Sequence, residues 1–332
     1  MLFVMVAAWF INGDTVSGSE RIFNKEINLI GGYSRQQQWT GKSSTLANSF
    51  GFEDFRKFSG EYGDFLTTDL QVRFSYDSLE DSRDAWAVEL HNAWMQYRLG
   101  YGMNLRIGHF DPAFGLEPVI DTHGTVLQTL APLNIGFKKD WGMALEGFLR
   151  KYDYKLALGV GSGMSLRRHD RSFLMSARVG TPPTENVQYG FSILYGDVID
   201  VKGMQTFPHN RLLSESAVSK RRIGVDGQLL MGASLVKGEI AYGQDDSDEV
   251  LGYLLEYDYT LPRNQNLSFQ IQFQSFAHDL AEQNQDDSLI SLGLAYRVNE
   301  NITLRAALVH DFNRVDEPAD TSVLVQYYYY GG

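Results

Sequence analysis

The chain has 332 residues, 43% of them hydrophobic, with 18 Tyr, 20 Phe, 32 Gly, 8 Pro and no Cys, and a formal net charge of −12. The lack of cysteine excludes structural disulfides, thiolate catalysis and Cys-type zinc sites. The negative charge argues against a nucleic-acid partner, and no run reaches the roughly 18 to 20 apolar residues that a membrane-crossing helix needs.

Residues 2–11 form an apolar run followed by small residues at Ser17, Gly18 and Ser19. This resembles the end of a secretory signal without its basic region; the alternative is an ordinary first strand ended by Asn12, Gly13 and Asp14. Residues 1–20 are therefore read as a signal-peptide remnant or N-terminal extension, and 21–332 as one β-barrel domain.

From residue 65 onward, apolar and polar residues alternate at close intervals. In 266–275, Leu267, Phe269, Ile271 and Phe273 oppose Ser268, Gln270, Gln272 and Gln274, and a period of two puts each set on its own face of a sheet. The pattern predicts strands at 26–34, 65–76, 86–98, 103–110, 134–148, 152–162, 172–181 and 187–196. Seven more follow at 222–231, 233–243, 249–259, 266–276, 288–297, 302–312 and 321–330.

Short turn-like links such as 150–151 and 299–300 alternate with longer ones, the longest being 111–133 and 197–221. Because a strand after a long loop must descend to the short-turn rim, parity requires one more strand between 35 and 64, best placed at 49–59. The expected fold is all-β: a transmembrane antiparallel up-and-down barrel of about 16 strands, or 14 if the first segment is outside the wall. A soluble sandwich is the alternative, opposed by aromatics at strand ends (Tyr253, Tyr257, Tyr259, Tyr296 and Tyr327 to Tyr330) that suit membrane girdles.

Following parity, the lumenal face carries Arg73, Arg98, Arg106, Arg178, Lys237, Arg297 and Arg305 against Asp69, Glu146, Asp226, Glu239, Glu256, Asp258 and Asp311. Seven of each sign argues against a single-sign filter. The loop 111–133 is rich in small and apolar residues, so it is expected to fold inward as a constriction, with Pro112, Phe114, Glu117, Asp121 and His123 as its candidate residues. Acidic runs at 245–249 and 286–287 lack the spacing of a calcium loop; they suit an outer rim facing lipopolysaccharide.

No H-E-x-x-H, G-x-S-x-G or phosphate-binding loop occurs, and the seven histidines are scattered. The chain is read as a non-enzyme needing no cofactor and no metal, with an outer-membrane lipase built from separate strands as a minor alternative.

The segment Gly108, Phe110, Ala113, Phe114, Gly115, Glu117 resembles the G-x-F-x-x-P-F-G-x-E strand end of the phosphate-selective porin O and P family, with Ala113 in place of proline. Lys139-Asp140-Trp141-Gly142-Met143 is similar to that family's R-D-x-G-x strand start, with Lys for Arg. The resemblance implies a 16-stranded porin of the bacterial outer membrane, passing small hydrophilic solutes or ions by diffusion, with homotrimers usual for such proteins. A structural role is the other reading: a sheath or docking collar for a periplasmic partner such as a multihaem cytochrome, which inward Gly224, Gly293, Ala295 and Ala307 would permit. Gly331 and Gly332 read as a short extension beyond the last aromatic strand.

Overall fold

The computed structural model describes residues 18–35, 38–40, 48–77, 85–100, 102–122, 124–202, 206–207, 211–212, 216–281, 286–313 and 319–332. The expected leader up to residue 17, His123 and parts of the long loops lie outside the described residues. In chain order the strands are β1 (Gly18–Ser34), β2 (Gln38–Thr40), β3 (Asn48–Gly60), β4 (Gly63–Tyr76), β5 (Trp86–Gly100), β6 (Met103–Phe110), β7 (Asp140–Leu149), β8 (Tyr152–Gly159) and β9 (Phe173–Gly180). They continue as β10 (Val187–Val198), β11 (Val201–Lys202), β12 (Arg211–Leu212), β13 (Val218–Met231), β14 (Ser234–Asp245) and β15 (Asp248–Thr260). The last four are β16 (Leu267–Ala277), β17 (Asp286–Arg297), β18 (Ile302–Asn313) and β19 (Asp320–Gly331), and one short helix, α1 (Ala131–Ile135), lies between β6 and β7.

Sixteen of these strands form a closed antiparallel barrel. Each pairs with its sequence neighbours, and β1 closes the ring on β19, from Lys25↔Gly331 to Ser34↔Ser322. On its other edge β1 pairs with β3 from Gly18 to Asn28, and β2 takes up the same edge above β3. Closure leaves no open strand edge in the wall, which is the condition for a sheet to cross hydrocarbon. The missing strand at 49–59 is β3, which settles the count in favour of 16 over 14.

The two faces separate as the alternation requires. Leu255, Ile271 and Leu292 are exposed on the outer face of three neighbouring strands. Glu256, Gln272 and Ser291, one residue away on each, are buried on the inner face. The outer belt is ringed by aromatics that include Tyr195, Tyr242, Tyr257, Tyr296 and Tyr327, which suit interfaces where a ring meets lipid and a hydroxyl meets water.

Several expectations are corrected. The run 134–148 is not one strand: α1, with proline in its first turn and Gly136 as left-handed cap, ends at Ile135, and β7 begins only at Asp140. Residues 136–139 stay inside because Lys138 and Lys139 reach carboxylates of the preceding loop. Strand β8 stops at Gly159, where Gly161 and Gly163 take positive φ. Tyr328 and Tyr330 are not girdle residues; they point inward and donate to Glu26 and Glu53. Gly331 belongs to the wall, paired with Lys25. The acidic run 245–249 is a tight turn, with Asp245 bonded to Arg222 Nη2 at 2.6 Å.

Leu255 stands at mid-height on the lipid face, so Leu255→Arg should cost about 2–4 kcal/mol. Chemical unfolding of the barrel in lipid bilayers checks this; an unchanged midpoint would mean that this face does not meet hydrocarbon.

Candidate functional site

The segment between β6 and β7 enters the lumen and is pinned to strand after strand. Phe110 and Pro112 end the β6 ladder, and Gly108 permits the exit with φ of 134° and backbone packing so close that a Cβ would lie 2.2 Å from the Ala93 carbonyl. The amide of Ala113 then donates to Ser176 Oγ on β9 (2.9 Å), that of Gly115 to Ser192 Oγ on β10 (3.1 Å), and that of Leu116 to Glu239 Oε2 on β14 (2.9 Å). The Asn134 side chain donates to the other oxygen of Glu239 at 2.9 Å.

Further along, Gln272 of β16 donates to the Gln128 carbonyl at 3.0 Å, and Arg305 and Gln326 both donate to the Gly124 carbonyl at 2.9 Å. Between these bonds the loop makes an apolar core inside the barrel: Phe114 (1% exposed), Ile135 and Phe137 pack on Leu174, Leu194, Val198 and Ala241. Gly224 makes room for this, since a Cβ there would come within 2.9 Å of the Phe114 ring.

Beside the loop the lumen keeps a cavity. A polar cavity of about 190 Å³ lies between the loop and the β3–β5 wall. The wall contributes Glu53, Gln71, His91 and Asn92, and the loop contributes Asp111, Glu117, Ile120, Asp121 and Thr122. Lys139 completes the lining. Its ammonium donates to Asn92 Oδ1 at 3.0 Å and Asp111 Oδ1 at 2.7 Å. At Asp111, burial alone would raise the carboxyl's pKa, but the ammonium groups of Lys139, Lys155 and Lys138 outweigh it and hold it below the usual carboxylate range. Glu117 is fixed by Lys138 Nζ at 3.0 Å and by the hydroxyls of Thr122 and Thr129.

The residues expected along the lumen fall into distinct groups. Arg73 is clamped by Glu26 and meets His91 Nδ1 at 3.1 Å, just behind the cavity. Arg106 bonds Gln96 Oε1 and Glu146 Oε1 (2.7 and 2.8 Å) and lies over the Trp94 ring. Arg178 holds Asp226 through two bonds of 2.6 and 3.0 Å, and Lys237 holds Glu256 at 2.6 Å and Asp258 at 2.8 Å. Arg305 and Glu239 anchor the loop, whereas Arg98 and Arg297 are exposed near the short-turn rim. Of the expected constriction residues, Glu117 and Asp121 face the cavity, while Pro112 and Phe114 are buried.

Sequence reasoning missed Glu53, His91 and Asn92. Glu53 follows from parity once β3 is in register, as Glu53↔Gln71. His91 is hidden by a β-bulge opposite Gln71 and Val72, which puts an extra residue into β5 and breaks the simple alternation. Among the described residues one Ser–His side-chain contact is present, Ser165 Oγ to His169 Nε2 at 3.1 Å. Ser165 also donates to the Arg167 carbonyl and is buried, so the pair braces the turn between β8 and β9.

Solved structures share this fold. The outer-membrane-expressed OmpT of Vibrio cholerae is similar with a TM-score of 0.67 and 10% identity, covering 95% of this chain and 99% of that one. The anion-selective porin from Comamonas acidovorans gives 0.66 and 8%, covering 94% and 100%. The outer membrane channel DcaP of Acinetobacter baumannii gives 0.62 and 11%, covering 96% and 99%. At such identities the likeness is one of fold, and no protein-family model or curated sequence matches the chain.

Glu239 holds two loop donors with two oxygens, so Glu239→Gln leaves one of them without an acceptor at a cost of about 1–3 kcal/mol. Amide exchange at 113–118 should quicken by that free energy while the wall strands keep their protection; unchanged exchange would show that the carboxylate does not hold the loop.

Proposed function

We propose that the chain is a bacterial outer-membrane porin that lets small hydrophilic solutes diffuse through the cavity between the inward loop and the β3–β5 wall. The observation that carries this reading is a polar cavity left in the lumen beside the inward loop. The loop is anchored on the β9–β19 side, and a polar space of about 190 Å³ remains opposite it. The loop 111–133 is then the constriction, with Glu117 and Asp121 at its edge. The apolar outer belt and its aromatic ring suit a lipid bilayer, and an acidic outer rim suits lipopolysaccharide bridged by cations. A homotrimer belongs to the same proposal, supported by the likeness to OmpT solved in trimer form.

The resemblance to the phosphate-selective porins gains a structural meaning here. Gly108, Ala113, Phe114 and Gly115 are the residues that turn the chain off β6 and seat it on the inner wall. Phosphate itself finds little support, because the arginines of the wall are already paired with carboxylates or amides. The sheath reading also loses ground, since the chain's own loop occupies the space a folded partner would need.

The test is single-channel recording of the purified, folded protein in planar bilayers. Stable openings are expected. Silence from a barrel shown to be folded by its heat-modifiable migration would overturn the porin reading.

A further inference from the structure

We infer, on the strength of the porin reading, that the bore of the channel is set from behind the loop. Inward glycines of β13, β15 and β17 fix how deeply the loop sits on its wall, and Gly224 is the main positioning residue for the size of solute that passes.

Hydrogen bonds and glycines take turns along the wall that carries the loop. Glu239 of β14, Gln272 of β16 and Arg305 of β18 reach out and bond it. Between them, β13, β15 and β17 present Gly224, Gly252 and Gly293 on the inner face, each beneath a different loop residue. A Cβ at Gly224 would lie 2.9 Å from Cζ of Phe114, one at Gly252 3.1 Å from Oδ1 of Asn134, and one at Gly293 3.4 Å from Cδ1 of Leu127. The polar side chains fix where the loop lies along the wall, and the glycines fix its distance from it.

None of these three glycines has a positive φ, so the backbone itself does not call for glycine there. Glycine inside a strand costs about 0.5–1 kcal/mol relative to alanine. Where conformation does not explain it, the close approach of another part of the chain does.

The contact at Gly224 is the tightest of the three to the loop and the least able to give. The Phe114 ring is packed among Ile135, Phe137, Leu174 and Leu194 and cannot swing aside. A methyl group against a ring carbon needs about 3.5–4.0 Å, so Gly224→Ala pushes the loop off the wall by about 1 Å. That push reaches the cavity. The amides of Val119 and Ile120 donate to the Leu116 carbonyl at 3.0 and 3.1 Å, closing a turn just after Phe114. Within that turn Glu117 is tied to Lys138 of the returning segment at 3.0 Å, so the two legs move together. Ile120 and Asp121 line the cavity on the loop side, and the space of about 190 Å³ narrows as they advance. At Gly252 the Phe276 ring, 2.9 Å from the Cβ, shares the displacement, and at Gly293 the Gln270 side chain is nearer than Leu127, at 3.2 Å. The geometry thus ranks Gly224 first, Gly252 second and Gly293 last.

The experiment is single-channel conductance in potassium chloride for the folded protein and its glycine variants, with polyethylene glycols of graded size to gauge the bore. Gly224→Ala should lower the conductance about twofold and lower the largest polymer size admitted, and Gly252→Ala should act in the same direction by a smaller factor. Gly238→Ala, on the outer face with nothing nearer than 3.6 Å to its Cβ, should leave the conductance unchanged. Trimming the seated ring in the double variant Gly224→Ala/Phe114→Leu should restore most of the loss, which general damage to the barrel would not allow. A folded Gly224→Ala barrel with unchanged or raised conductance, or a loss that Phe114→Leu does not restore, would overturn the inference while wild-type openings keep the porin reading standing. Should Gly224→Ala not fold, unchanged conductance in Gly252→Ala overturns it instead. Silent wild-type bilayers with folded barrel would overturn both readings.

Discussion

Closure of the sheet is the constraint on which everything else depends. In hydrocarbon each unpaired backbone group costs several kcal/mol, so β1 has to be paired along both edges, with β3 on one side and β19 on the other. Once the ring is closed, register fixes parity for every strand. A residue such as Glu26 is then inside because Ile27 and Lys25 are outside, whatever its own preference. Polar side chains forced inward must find partners there, and the lumen becomes a dense network of acceptors and donors around Glu26, Arg73, Gln71 and Tyr328.

Where the opening lies is decided by side-chain size on the inner wall. Along β9 to β17 many of the inward positions that receive the loop are small, Ser176, Ser192, Gly224, Gly252 and Gly293, with Glu239 and Gln272 reaching it from between them. There the chain can approach closely enough for amides to reach hydroxyls and for Phe114 to sink against the sheet. Across the lumen the inward positions are long, with Glu53, Gln71, Arg73, Glu89 and Trp94 on β3 to β5. They hold the loop off. The cavity is the gap between these two linings, so its position follows from glycines and serines on one side as much as from charges on the other.

Much of this was legible in the sequence because alternation is a direct image of a wall between two solvents. The count of sixteen and the missing strand near Ser49 to Ser59 follow from period and parity, and the inward turn after Phe110 from the small and apolar residues of the loop. What failed did so where period carries no information. The end of the short helix, from Asn134, and the buried stretch to Lys139 read as strand because apolar residues continue through them, whereas their placement depends on carboxylates of the preceding loop. His91 was hidden by a bulge, and Glu53 by a strand whose outer face carries Asp54 and Arg56 paired with each other. Both faces of that strand are charged, so no alternation marks it.

Partners matter more than totals for the field inside the barrel. The seven acids and seven bases that parity assigns to the inner face balance in total, and at long range they cancel. A pair such as Arg178 and Asp226, locked at 2.6 Å, presents a dipole that fades quickly with distance. Glu53 instead accepts a hydrogen bond from a neutral group, the Tyr330 hydroxyl, and lines the cavity. Water in the lumen screens such charges within about 8 Å at physiological salt, so only groups lining the cavity act on what enters it. The charges that act at the cavity are therefore those of the few residues around Lys139, and their positions are set by the loop that the small residues of β9 to β17 hold in place.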